Sequence, residues 1–191
     1  MATIGSRPTS PISPNGKIVF GHITMWSLAE ALHFNVWLDV APEKGRRVVM
    51  QTYPGGIQSG MDYYVNDAGI LVCETTIAQT RFEVDGTPLA SRIRMALQYG
   101  ESIDDVTRTL SAKNNGLYSN EWLIADTKTN EIAMYELGTR HTKLYRSSRD
   151  EWPAGTKGFY WGCNNEKDID VYKETVADLG GKPANLVLYP R

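Results

Sequence analysis

The chain is poor in the residues that most readily announce a chemistry. Its 191 residues hold two cysteines, Cys73 and Cys163, and three histidines, His22, His33 and His141. Two cysteines cannot build a disulfide framework or a four-cysteine zinc site. The three histidines are dispersed along the chain, so neither a metal nor another cofactor is expected. Basic charge is also short. Lys and Arg number 20 against 22 Asp and Glu, a formal net charge of -2, which leaves no positive field for nucleic acid. No apolar run approaches the ~20 residues of a membrane-spanning helix. The Ser-, Thr-, Pro- and Gly-rich opening lacks the charged start and apolar core of a signal peptide. The compartment is therefore unassigned, and a secreted or periplasmic location would need a leader ahead of Met1.

What is present is an ordinary globular composition, 41% hydrophobic with 17 Gly and 9 Pro. Residues 1–15 read as a flexible N-terminal segment and 16–191 as one domain. Asn15-Gly16 is a turn, followed by a strand over 17–22. Strands over 35–40 and 46–53 make one hairpin, and strands over 62–65 and 69–77 a second. Pro88 opens a helix with Leu89, Ile93, Ala96 and Leu97 on its apolar face, and Gly100 ends it. Ser102 caps a second helix lined by Ile103, Val106 and Leu110, which closes at Asn114-Asn115-Gly116. Strands are expected over 121–125, 131–137, 142–146 and 158–162. A helix over 168–179 and a strand over 186–189 without a visible partner finish the chain. This order is that of an α+β protein with a largely antiparallel sheet.

Few residues stand out chemically. His22 ends a strand and is followed by the aperiodic Ile23-Thr24-Met25-Trp26. It reads either as a general base or orienting group, or as a satisfied, partly buried histidine. Cys73 lies mid-strand, where a cysteine is usually a small core residue. Cys163 sits in a loop-like Gly-Cys-Asn-Asn stretch with no sequence-adjacent histidine. The glycine-rich turn from Tyr53 to Gly60 lacks the Lys-Ser/Thr of a phosphate loop and opens no helix. Asn120, where the chain enters a strand, is either an amide donor facing a cleft or a turn asparagine bonding its own backbone.

Four segments, taken together, resemble a known family. Val19-Phe20-Gly21-His22-Ile23-Thr24-Met25-Trp26 is similar to a strand ending in His-Asn-Thr-Trp. Tyr53-Pro54-Gly55-Gly56, with Ser59 and Asp62-Tyr63-Tyr64, is similar to a Tyr-Pro-Gly turn. Glu74-Thr75-Thr76-Ile77 matches a Glu-Thr-Thr-Ile strand, and Asn115-Gly116-Leu117-Tyr118-Ser119-Asn120-Glu121-Trp122 resembles a Tyr-Asn-Asn-Gln-Trp segment. In this order, from about Gly16 to Asn165, they resemble the phospholipase B-like branch of the N-terminal-nucleophile (Ntn) hydrolases. That branch is related to the acyltransferase and amidase group of isopenicillin N acyltransferase and, more distantly, to bile-salt hydrolases. The resemblance implies a four-layer αββα sandwich of antiparallel sheets, here incomplete. It implies acyl transfer from an N-acyl amine or lipid ester through a cysteine exposed by self-cleavage, whose own α-amine serves as base. It places His22 beside the nucleophile and Asn120 in the oxyanion hole. Trp26, Tyr53, Asp62 and Thr75 line or brace the substrate pocket. Glu74 and Trp122 match motif positions that strand alternation can turn either way.

The sequence departs from that pattern in two places. His22 is followed by Ile23 in place of Asn, with Met25 inserted before Trp26. No cysteine precedes Cys73, and Thr3, Ser6, Thr9 and Ser10 are not terminal. The nucleophile is therefore expected upstream of Met1, and the 191 residues by themselves are expected to be inactive. Two other readings remain: a non-catalytic binding or assembly module on the same fold, and a hydrolase pairing Cys163 with His22 in space. Homo-oligomerisation, or association with the remainder of a precursor, is left open.

Overall fold

The computed structural model of the chain describes residues 2–5, 13, 15–33, 36–78 and 82–178. Along the chain come β1 (Ala2–Gly5), β2 (Val19–His22), α1 (Leu28–Ala31), β3 (Val36–Val40), β4 (Val48–Thr52), β5 (Tyr63–Asn66) and β6 (Ile70–Ala78). They are followed by α2 (Leu89–Tyr99), α3 (Ile103–Ser111), β7 (Ser119–Asp126), β8 (Glu131–Leu137), β9 (Thr142–Arg146), β10 (Phe159–Gly162) and α4 (Ile169–Asp178). Among the described residues the strands form two sheets, both antiparallel. One has seven strands in the order β3-β4-β5-β6-β7-β8-β9, and the other has three in the order β10-β1-β2. The protein is thus α+β, built on hairpins as the turn signals between apolar runs imply.

Two apolar clusters cover opposite faces of the large sheet. Val72, Trp122, Ile124 and Tyr135 pack with Ile93 and Leu97 of α2 and Val106 and Leu110 of α3. Cys73, Leu123, Ala125, Ile132 and Met134 alternate with them along β6, β7 and β8 and pack with Tyr160 of β10, Ile18 and Phe20. Helix pair, large sheet and small sheet are therefore three stacked layers. With both faces covered, every residue of β7 and β8 is buried. α4 is tied to the β8–β9 turn, where the Glu174 carboxylate accepts the backbone N–H groups of Arg140 and His141 at 2.8 Å each.

The helices start as their sequences imply. Pro88 precedes α2, and Gly100 follows it. The Ser102 hydroxyl accepts the Asp105 N–H at 3.1 Å, satisfying a backbone donor at the start of α3. Buried Asn66 locks helices to sheet: its amide donates to Leu97 O and Gly100 O, both at 2.9 Å, and accepts from Ile70 N at 3.0 Å.

Two local readings change. Ala2–Gly5, taken as part of a flexible opening, is the middle strand of the small sheet, pairing with both β2 and β10. Thr3 and Ile4 are β-branched and suit a strand, but they are too few among Gly, Ser and Pro to show alternation, and pairing on both sides completes the strand. α1, which buries no residue, is held by a capping box between Ser27 and Glu30. Asn35, Leu179 and the expected strand over 186–189 lie outside the described residues.

Replacing Asn66 with Ala removes three hydrogen bonds and leaves two buried carbonyls and one N–H without a partner. The expected loss is about 2–4 kcal/mol, read as a lower denaturant midpoint at unchanged slope. A change below about 0.5 kcal/mol would show that Asn66 does not lock the helices to the sheet.

Candidate active site

A pocket of about 280 Å³ opens where the end of β2 meets β6. His22, Trp26, Asp62 and Thr75 line it, with Glu74, Thr24, Thr76 and Asn164. Ile23 and Met25, at 66% and 80% exposure, form its apolar lip. β1 begins at Ala2, in register with His22, so the start of β1 also opens at this end of the small sheet.

Backbone geometry explains how Asp62 reaches the pocket. The Ser59 hydroxyl accepts both Met61 N and Tyr63 N at 3.1 Å and donates to Gln51 O. This clasp holds Asp62 between them in a left-handed conformation with φ 58°. Gly56 is required nearby, since a Cβ there would stand 2.5 Å from the Thr52 hydroxyl. The glycine-rich turn is thus a support for Asp62 rather than a phosphate cradle.

His22 is held at both ring nitrogens. Nε2 lies 2.9 Å from Glu74 O and Nδ1 lies 3.1 Å from the Thr24 hydroxyl. That hydroxyl also donates to Met61 O at 2.9 Å. Thr24 has a single proton, so all three contacts are made together only when His22 carries protons on both nitrogens. Burial opposes this and draws the His22 pKa below its usual value, while the Glu74 carbonyl pulls it back up.

The floor is a carboxyl pair. Glu74 is 3% exposed; its side chain accepts Tyr118 Oη at 3.1 Å and Asn120 Nδ2 at 2.5 Å. It is also hydrogen-bonded to the Asp62 carboxyl. Burial, with Asp62 beside it, pushes Glu74 well above the carboxylate range, and burial pushes Asp62 up to about 6. Two like charges this close and this buried hold a proton between them near neutrality. No Lys or Arg lines the pocket among the described residues.

Of the residues singled out from sequence, His22, Trp26, Asp62 and Thr75 come together. Asn120 does not line the pocket; it is fully buried behind Glu74 and bonds to it. Tyr53 is not a lining residue, and Trp122 is in the helix-facing core. Cys73 is fully buried, with its thiol pKa driven up by burial. Cys163 adjoins Asn164 but does not line the pocket, and the His22 nitrogens are engaged elsewhere. Glu74 was legible only as a motif position, and Asn164 carried no signal beyond a loop-like Asn-Asn. Among the described residues no group of three or more His, Cys, Asp and Glu could hold a metal.

A second acidic cluster lies behind Thr75. Buried Glu121 and Glu136 are pushed up to about 8 and about 7 by burial, against the pull of Lys167.

A two-sheet α+β domain with a histidine-and-carboxyl pocket at the end of its small sheet is the class that the fold and the site define. The Phospholipase B family model matches residues 12–143. The chain belongs to the phospholipase B family. It is 28% identical over 172 residues to phospholipase B of Crotalus adamanteus, covering 82% of this chain and 31% of that protein. It is 29% identical over 122 residues to phospholipase-B 81 of Drysdalia coronoides, covering 59% of this chain and 22% of that protein. The chain thus spans less than a third of these relatives. The structure of the C2A mutant of conjugated bile acid hydrolase from Clostridium perfringens matches at 12% identity and TM-score 0.44, over 94% of this chain and 48% of that one.

Because Asp62, Glu136 and Glu121 titrate near 6, 7 and 8, the fold holds protons that the unfolded chain has already released. Their stabilisation is complete below the ordinary carboxylate range and is lost as pH rises through 6 to 8. His22, with its lowered pKa, acts the other way and costs stability only as pH falls below its ordinary value. The melting temperature is therefore expected to fall by several degrees between about pH 6 and about pH 8.5, and E121Q should flatten that slope. A melting temperature that rises over this interval would contradict the assignment.

Proposed function

We propose that this chain carries the pocket of an Ntn-type hydrolase or acyltransferase, which cleaves an acyl ester or amide through an acyl-enzyme. The observation that carries this reading is the register of β1 with β2: a nucleophile at the start of β1 would stand beside His22 at the pocket. Membership in the phospholipase B family supports it. On this reading the nucleophile is a cysteine thiol beside His22; in the 191 residues no cysteine precedes Cys73. A terminal α-amine titrates near 7.7–8.0 and takes the thiol proton; the thiolate attacks the acyl carbonyl, and the leaving alcohol or amine departs with that proton.

With both ring nitrogens already bonded, His22 acts by fixing the pocket wall beside the nucleophile rather than by bonding to it. Asn120, first expected in the oxyanion hole, acts from behind by holding Glu74 in place. Substrate choice follows from the lining. Two carboxyls sharing a proton, with no Lys or Arg beside them among the described residues, favour a neutral or cationic group near the scissile bond and disfavour a phosphate placed against them. The exposed lip of Ile23, Met25 and Trp26 suits an acyl chain. A lipid ester and an N-acyl amine both meet these requirements.

The test uses protein expressed from the full reading frame, assayed on a lysophospholipid, a diacyl phospholipid and an N-acyl amine. Turnover of at least one is expected, and His22→Ala should lower kcat/KM by about 10²-fold or more. Thermal stabilisation by these compounds without turnover would instead support a binding module, and neither response would overturn the reading.

A further inference from the structure

The loop after β10, residues 163–168, carries the pocket residue Asn164 and is fastened to the large sheet by two buried carboxyl groups. Glu121 on β7 accepts Lys167 Nζ at 2.6 Å, with side chains 0% and 5% exposed. Glu136 on β8 accepts the backbone N–H groups of Lys167 and Asp168 at 2.6 and 2.9 Å. The Lys167 ammonium also lies 4.4 Å from the Trp161 ring centroid and donates to Asn165 O at 2.9 Å.

From this pair the contacts run to the pocket. The Thr75 hydroxyl donates to Glu121 Oε2 at 3.1 Å and accepts Asn164 N at 3.4 Å. The Asn164 side chain donates to Thr76 O at 2.8 Å. Gly162 leaves room for the arrangement: a Cβ there would stand 2.5 Å from Glu121 Oε2 and 2.9 Å from Thr75 Oγ1. A buried ion pair contributes little net stability against its desolvation cost, but it fixes geometry. Here the fixed geometry is that of two pocket-lining residues. The Thr75 hydroxyl has one proton and two lone pairs, so it can donate to Glu121 Oε2 and accept the Asn164 N–H at the same time.

We propose that Lys167 and Glu121 are positioning residues, which act through Thr75 to hold the 163–168 loop and its Asn164 as a fixed wall of the substrate pocket. The word substrate rests on the hydrolase reading above; the clamp itself does not, and it is measured separately.

Cys163 is a built-in reporter of this loop, and fully buried Cys73 is a control for unfolding. The experiment is the alkylation rate of each thiol by iodoacetamide in the folded chain. K167M is expected to accelerate Cys163 labelling about tenfold or more while Cys73 stays silent, and K167R to restore a rate near the parent's, because guanidinium can both pair with Glu121 and stack on Trp161. T75V, which keeps the ion pair but cuts its link to the loop, should accelerate Cys163 labelling as well. If K167M unfolds the chain, so that Cys73 also reacts, T75V decides. An unchanged Cys163 rate in folded K167M, or in T75V, would overturn the proposal. In catalytically competent protein, K167M should raise KM far more than it lowers kcat. Faster labelling with no turnover in any variant would leave the clamp standing and remove the hydrolase reading alone.

Discussion

The pocket depends on the burial of one carboxyl, that of Glu74. A carboxyl that is only 3% exposed carries a large desolvation cost unless every oxygen is met. Tyr118 and Asn120 meet its side chain, Asp62 shares its proton, its backbone N–H reaches Asp62 O at 3.2 Å, and its carbonyl holds His22. Elements far apart in sequence are thereby drawn to one point: β2, the turn before β5, β6 and β7. Removing any of these partners would leave an oxygen or the N–H of Glu74 unmet, which is why the constellation stands or falls as a unit.

The fold supplies the setting that makes such a carboxyl tolerable. Covering both faces of the large sheet buries all of β7 and β8, so polar residues there must find partners inside the protein. Asn120 and Glu121 are neighbours on β7 and point to opposite faces. One holds Glu74 and the other holds Thr75 and Lys167, so a single strand steadies the pocket from two sides. The exposed lip of Ile23 and Met25 is the contrasting feature, apolar where the rest of the pocket is polar.

Much of this was legible in the sequence. The hairpins of β3–β4 and β5–β6 and the paired helices α2 and α3 followed from local periodicity and turn chemistry, because the interactions that define them are close in sequence. β1 was not legible, since two β-branched residues, Thr3 and Ile4, are too short a run to signal a strand without β2 and β10 on either side. His22, Trp26, Asp62 and Thr75 could be chosen because they fall in motif segments. Placing Asn120 in the pocket itself was less secure, because which layer an amide occupies depends on what stands before it. Glu121 and Lys167, separated by 46 residues, had no sequence signal at all; their pairing exists only once β10 lies over β7.

The central claim is that Asp62 and Glu74 share a proton at neutrality and so keep the floor of the pocket at a single negative charge. Side-chain ¹³C NMR of labelled Asp and Glu carboxyls, assigned with D62N and E74Q and followed from about pH 4 to 9, tests it most directly. The account requires one carboxyl of the pair to remain protonated at about pH 7, with the two signals moving together as a coupled unit. Two carboxyls that titrate independently, both ionised by about pH 5, would contradict it.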